Sequence, residues 1–128
     1  MIQTIERLSN IHFEHLIWSN ELQGIRAEIG IYRKRLDVLL AQYTSTTLRD
    51  DLLEFKRGFD RVRKDIDEWQ VTIGAHEFHI NELASLNGAL TQMSNSEHED
   101  IRNKMHSVRR SMLELKEAFQ YFMIERIS

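Results

Sequence analysis

The chain has 128 residues, long enough for one domain with a sizeable buried core. Seventeen Lys and Arg against twenty Asp and Glu leave a net charge of −3, too balanced for a dedicated nucleic-acid binder. The absence of Cys excludes a disulfide scaffold, a thiol nucleophile and any thiolate metal site, while the absence of Pro, with only five Gly, favours long helices.

The first residues carry no basic stretch followed by an apolar core, so a secretory signal is not expected and a cytoplasmic location is the default reading. No apolar run approaches the ~18 residues of a membrane span. From residue 3 to about 44 the a and d positions of a heptad repeat read Leu8, Ile11, His15, Trp18, Leu22, Ile25, Ile29, Tyr32, Leu36, Leu39 and Tyr43. Thr44, Ser45, Thr46 and Thr47 then interrupt with capping residues. A second seam, predicted over 47–87, runs through Leu52, Phe55, Phe59, Val62, Ile66, Trp69, Ile73, His76, Ile80 and Leu83 to a stop at Asn87-Gly88. Ser96 and Glu99 read as a capping box that opens a third helix over 96–126. Its seam is His98, Ile101, Met105, Val108, Met112, Leu115, Phe119 and Phe122. The expected fold is one all-α domain, an antiparallel bundle of three long helices roughly 60 Å in length.

A turn centred between Ser45 and Thr46 makes facing residue numbers of the first two helices add to 91. Leu36 then meets Phe55, Tyr32 meets Phe59, and every a position faces a d position. For the third helix, numbers adding to about 181 with the second give layers such as Leu22/Trp69/Met112 and Ile29/Val62/Phe119. In that register Glu14 and Glu21 face Arg109 and Lys116. The third helix then stops near Leu36 and Phe55, leaving Leu39, Leu40, Leu48, Leu52 and Leu53 exposed as a second docking site.

A three-helix rod with a Trp in its first helix resembles a spectrin-type repeat in architecture, a likeness that implies no function. The Glu-x-x-His of ferritin-like di-iron proteins and the His-x-x-x-His and His-x-x-x-Glu spacings of hemerythrins do not occur at any of the six His.

Four of those His fall in two His-x-x-His motifs, His12 with His15 and His76 with His79. Both pairs of numbers, 15 with 76 and 12 with 79, fit the hairpin register. His15 and His76 therefore face each other, His12 lies beside Glu77, His79 turns towards Lys104, Met105 completes the layer, and His98 stands two layers beyond. Such a layer can be structural, with the rings bonded to each other and to Glu77 or Ser19, fixing register without a cofactor. It can also be a metal site of His12, His15, His76, His79 and Glu77, suited to zinc, iron or copper. Flanking layers filled by Ile11, Trp18, Ile73 and Ile80 leave no room for haem. No glycine-rich phosphate cradle, G-x-S-x-G or H-E-x-x-H motif signals an enzyme.

Apolar residues remain after the seams are filled: Phe13, Leu16 and Ile17 on the first helix, Val71, Ala75 and Phe78 on the second. They predict an interface, most simply with a second copy or another helical protein. Two functions follow from different features. The first is a non-enzymatic interaction or scaffold protein that self-associates; the second is a metal-binding bundle with redox or hydrolytic capacity.

Overall fold

A computed structural model describes the backbone of residues 2–85 and 91–127 and the side chains of residues 10–78 and 98–127. Helices α1 (Ile2–Gln42), α2 (Thr46–Ser85) and α3 (Thr91–Phe122) pack as an all-α antiparallel bundle, and α3 runs on into a π-helical turn, Met123–Ile127. Among the described residues there is no strand, and no helix is long and apolar enough to cross a membrane. The stop at Asn87-Gly88 lies outside the described residues, as do the side chains of Leu8, His79, Ile80 and Leu83.

The α1–α2 turn, residues 43–45, closes without Gly or Pro because a side chain satisfies the end of α1. Tyr43 N–H donates to the Leu39 carbonyl at 3.0 Å, and Arg49 N–H donates to the Ser45 carbonyl at 2.9 Å. The Arg49 guanidinium donates to the Leu40 carbonyl and, at 3.2 Å, to that of Tyr43. The last carbonyls of a helix lack intrahelical donors, and a cation there also meets the negative end of the helix dipole.

The hairpin register is the expected one. The Tyr32 and Phe59 rings stack at 4.9 Å between centroids. Alongside them, Arg33 pairs with Asp60 at 2.8 Å, Arg26 with Asp67 at 3.0 Å and Lys56 with Asp37 at 2.8 Å. Leu22, Ile29, Leu36, Leu52, Phe59 and Ile66 are completely buried. Each such side chain contributes about 1.5–3 kcal/mol by leaving water, far more than an exposed ion pair.

Helix α3 departs from expectation by one heptad. Glu14 bonds Arg102 instead of Arg109, and Glu21 bonds Arg109 instead of Lys116, each pair 88 positions apart where 95 was expected. Lys116 pairs with Glu28 at 2.5 Å. The Phe119 ring meets Phe55 at 5.3 Å, and Lys104 lies over Trp69 at 4.3 Å instead of turning towards residue 79. Met105 therefore stands at the level of Leu22 and Trp69, and His98 takes the place expected for Met105. A slip of seven residues returns every a, d, e and g position to an equivalent one, so core and charge patterns alone cannot distinguish the two registers.

Two further corrections follow. With α3 one heptad nearer the α1–α2 turn, Leu39 and Leu52 are buried, Leu40, Leu48 and Leu53 are half-buried, and no bare leucine end remains as a docking site. Phe122, Met123 and Ile127 pack there, and Arg126 reaches Asp51 at 3.4 Å. Helix α3 also begins at Thr91, ahead of Ser96. Polar residues with capping preference mark where a helix can start but do not forbid it from continuing through them.

Candidate metal centre

His15, His76 and His98 each occupy a core position of their helix, and the register brings them into one layer. All three are buried. His15 Nε2 lies 3.1 Å from His76 Nδ1 and 3.2 Å from His98 Nδ1, and the three inward nitrogens fall within 4.8 Å of one another. Ligand nitrogens about 2.0–2.1 Å from a tetrahedral zinc stand ~3.3 Å apart, so two of the three spacings already suit an ion.

Carboxylates flank the layer on both sides. Glu77 Oε1 bonds Nδ1 of His15, and its Oε2 accepts from Nδ1 of exposed His12 at 2.6 Å. On the far side His98 Nε2 lies 3.3 Å from Glu14 Oε2, a close contact without the alignment of a hydrogen bond. Arg102 holds the same carboxylate through both oxygens, at 3.0 and 3.1 Å. Burial alone would raise the Glu14 pKa, but Arg102 and His98 outweigh it and hold the carboxyl below its ordinary value. Burial pushes His98 below the ordinary histidine value, with Glu14 offsetting part of that effect.

The Glu77 contact sets the direction of the His15 lone pair. A carboxylate beside an outer ring nitrogen favours N–H there, which leaves the inner nitrogen as an acceptor. Glu77 arranges His15 this way and turns its Nε2 lone pair towards Nδ1 of His76 and of His98, at 3.1 and 3.2 Å. A lone pair turned inward in a low-dielectric interior is met by an N–H of a neighbouring ring or by a cation held among the rings.

The surroundings are apolar. The Trp18 ring stacks on His98 at 4.9 Å and lies 5.7 Å from His15. Trp18, Ile11, Ile73 and Ile101, which fill the neighbouring layers, are all buried.

The expected site residues thus divide by role. His15 and His76 form the layer, Glu77 orients His15 from outside, and His12 lies on the solvent side of Glu77. The His79 side chain lies outside the described residues. His98 completes the cluster in the position expected for Met105; its place on the α3 seam was the available signal, and the heptad slip concealed it. Phe13, Leu16, Ile17, Val71, Ala75 and Phe78 are all exposed. No protein family, curated protein or solved structure matches this chain, so the site is read from its own residues.

Proposed function

We propose that this protein binds one divalent transition ion of the zinc class through His15, His76 and His98. The observation that supports this is the convergence of three buried imidazoles whose outer sides meet Glu77 and Glu14. Three neutral nitrogens suit zinc, iron(II) or copper(II). Because each ligand comes from a different helix, ion binding would join all three at one end of the bundle.

Metal titration of the apo protein tests the proposal. Cobalt(II) should bind at one ion per chain and give the visible absorption of a tetrahedral centre, zinc should displace it, and either ion should raise the melting temperature. Replacing His98 by Leu should abolish the cobalt spectrum while the chain keeps its helical content. A folded wild type that binds neither ion in a chelator-free titration overturns the reading.

The second reading is self-association in a cytoplasmic setting, as an interaction protein without catalytic activity. It rests on large apolar side chains left bare, with Phe13 64%, Val71 74% and Phe78 66% exposed. The two readings are compatible, because the bare side chains and the histidine layer lie on different sides of the helices.

A further inference from the structure

Helix α1 differs from its neighbours in how its apolar residues are arranged. Helices α2 and α3 each carry one apolar stripe, whereas the apolar residues of α1 fall on two sides of it. A helix with apolar residues on two sides presents one side to its own bundle and the other outward. Besides its core seam, α1 carries a second row at alternating spacings of four and three: Phe13, Ile17, Gly24, Ala27, Ile31 and Val38, interrupted only by Asn20 and Lys34. Every residue of that row is exposed.

The glycine in it has no reason within the chain. A Cβ on Gly24 would meet nothing within 4 Å, in contrast to Gly58, where it would come within 3.0 Å of the Leu115 side chain. Gly24 leaves the middle of the row flat enough for another backbone to approach closely, although a Cβ at Gly30 or Gly74 would meet nothing within 4 Å either.

We infer that a second copy of this chain covers the row, with the two α1 helices packed antiparallel about a two-fold axis between Gly24 and Ala27. Facing numbers then add to 51. Gly24 meets the partner's Ala27 at the point of closest approach, Ile31 meets the partner's Asn20, and Phe13 meets the partner's Val38. Each position of one row faces a position of the other, as antiparallel packing requires. Lys34 faces the partner's Ile17, and the apolar stem of Lys34 can lie along that side chain with its ammonium in water. The area is adequate as well. Phe13, Leu16, Ile17, Ile31 and Val38 are 64, 51, 48, 68 and 56% exposed. At roughly 150–200 Å² per full side chain they leave about 500 Å² bare, most of the ~600–800 Å² per partner that a small stable interface covers. The row takes Phe13 and Ile17 from the expected interface, with Leu16 flanking it, and leaves out Val71, Ala75 and Phe78. The outermost positions of neighbouring helices in a bundle point apart and cannot all enter one contact.

Sedimentation equilibrium on the metal-free chain tests the inference independently of the histidine site. The wild type should be a dimer at about 100 µM, where a Kd of about 10 µM pairs most chains. Ile31→Glu should be monomeric with an unchanged circular dichroism spectrum, since Ile31 lies outside the core. Adding Asn20→Lys to Ile31→Glu should restore the dimer, because residue 31 faces residue 20 only in the antiparallel register; adding Asn20→Glu should not. A wild type monomeric at that concentration overturns the inference and leaves the face to a different protein. An Ile31→Glu variant that stays dimeric, or a charge pair that fails to restore pairing, overturns it too.

Discussion

Glu14 and Arg102 are joined through both carboxylate oxygens, at 3.0 and 3.1 Å, and this pairing records the register of α3 against α1. Both side chains are more than a third exposed, so the pair identifies the register without contributing much to stability. A double-mutant cycle of Glu14→Gln with Arg102→Gln should give a coupling of about 0.2–1 kcal/mol that shrinks in 1 M salt. Glu14→Gln with Arg109→Gln should give none, while Glu21→Gln with Arg109→Gln couples. Denaturant midpoints of the single and double variants read these terms, and coupling of Glu14 to Arg109 would restore the register expected from the seams.

The fold was legible in the sequence because heptad seams report which faces are buried and a short turn admits few registers. The Tyr32–Phe59 stack and the His15–His76 contact both obey the register deduced from the turn alone. The α2–α3 register was not legible, since the longer connection left two solutions related by a whole heptad. What separates them is polar satisfaction. In the expected register His15 and His76 share a layer with Met105, which offers sulfur and no good hydrogen-bond partner; in the observed one His98 enters, and Glu14 comes with it. Matching polar residues across layers before apolar ones would have found both the register and the third histidine of the cluster.

The two contacts of Glu77 predict unequal effects at the proposed metal site. Glu77 orients His15 directly, whereas His12 touches only the outer oxygen of Glu77. Glu77→Gln should weaken zinc binding by about 10–100-fold, as loss of a carboxylate behind a ligating imidazole does elsewhere. His12→Ala should change affinity much less, because Glu77 keeps its bond to His15. Competitive titration with a coloured chelator measures both. Equal losses in the two variants would mean that His12 itself ligates.

Core packing and helix propensity give a further contrast. Phe59 is completely buried among Tyr32 and Phe119, with ring centroids at 4.9 and 6.2 Å. Phe59→Ala should cost about 3–5 kcal/mol, the usual range for a large buried side chain. Gly30→Ala should instead stabilise by roughly 0.5–1 kcal/mol, since the added methyl meets nothing within 4 Å and alanine favours the helix. Gly58→Ala should gain less, because Leu115 must first move aside. Urea melts of the three variants check the order, which fails if Gly58→Ala stabilises more than Gly30→Ala.

Burial of His98 makes the metal-free bundle sensitive to acid. Its folded pKa is depressed, chiefly by loss of water around the ring, so the unfolded chain takes up the proton first as pH falls. The contribution of neutral His98 is therefore complete above the unfolded value of about 6.5 and is lost as pH drops below it towards the folded value. Glu14 acts in the same direction at lower pH: its depressed pKa means that its stabilising charge is lost only in the acid range, as pH falls through the folded value. Melting temperatures in EDTA should fall between pH 7 and 5, and His98→Leu should flatten that part of the curve while leaving the more acidic limb. Saturating zinc should steepen the dependence, because protons and the ion compete for the same ring nitrogens. A wild-type curve in EDTA that is level from pH 7 to 5, or a His98→Leu curve of undiminished slope, would remove His98 as the source of the acid sensitivity.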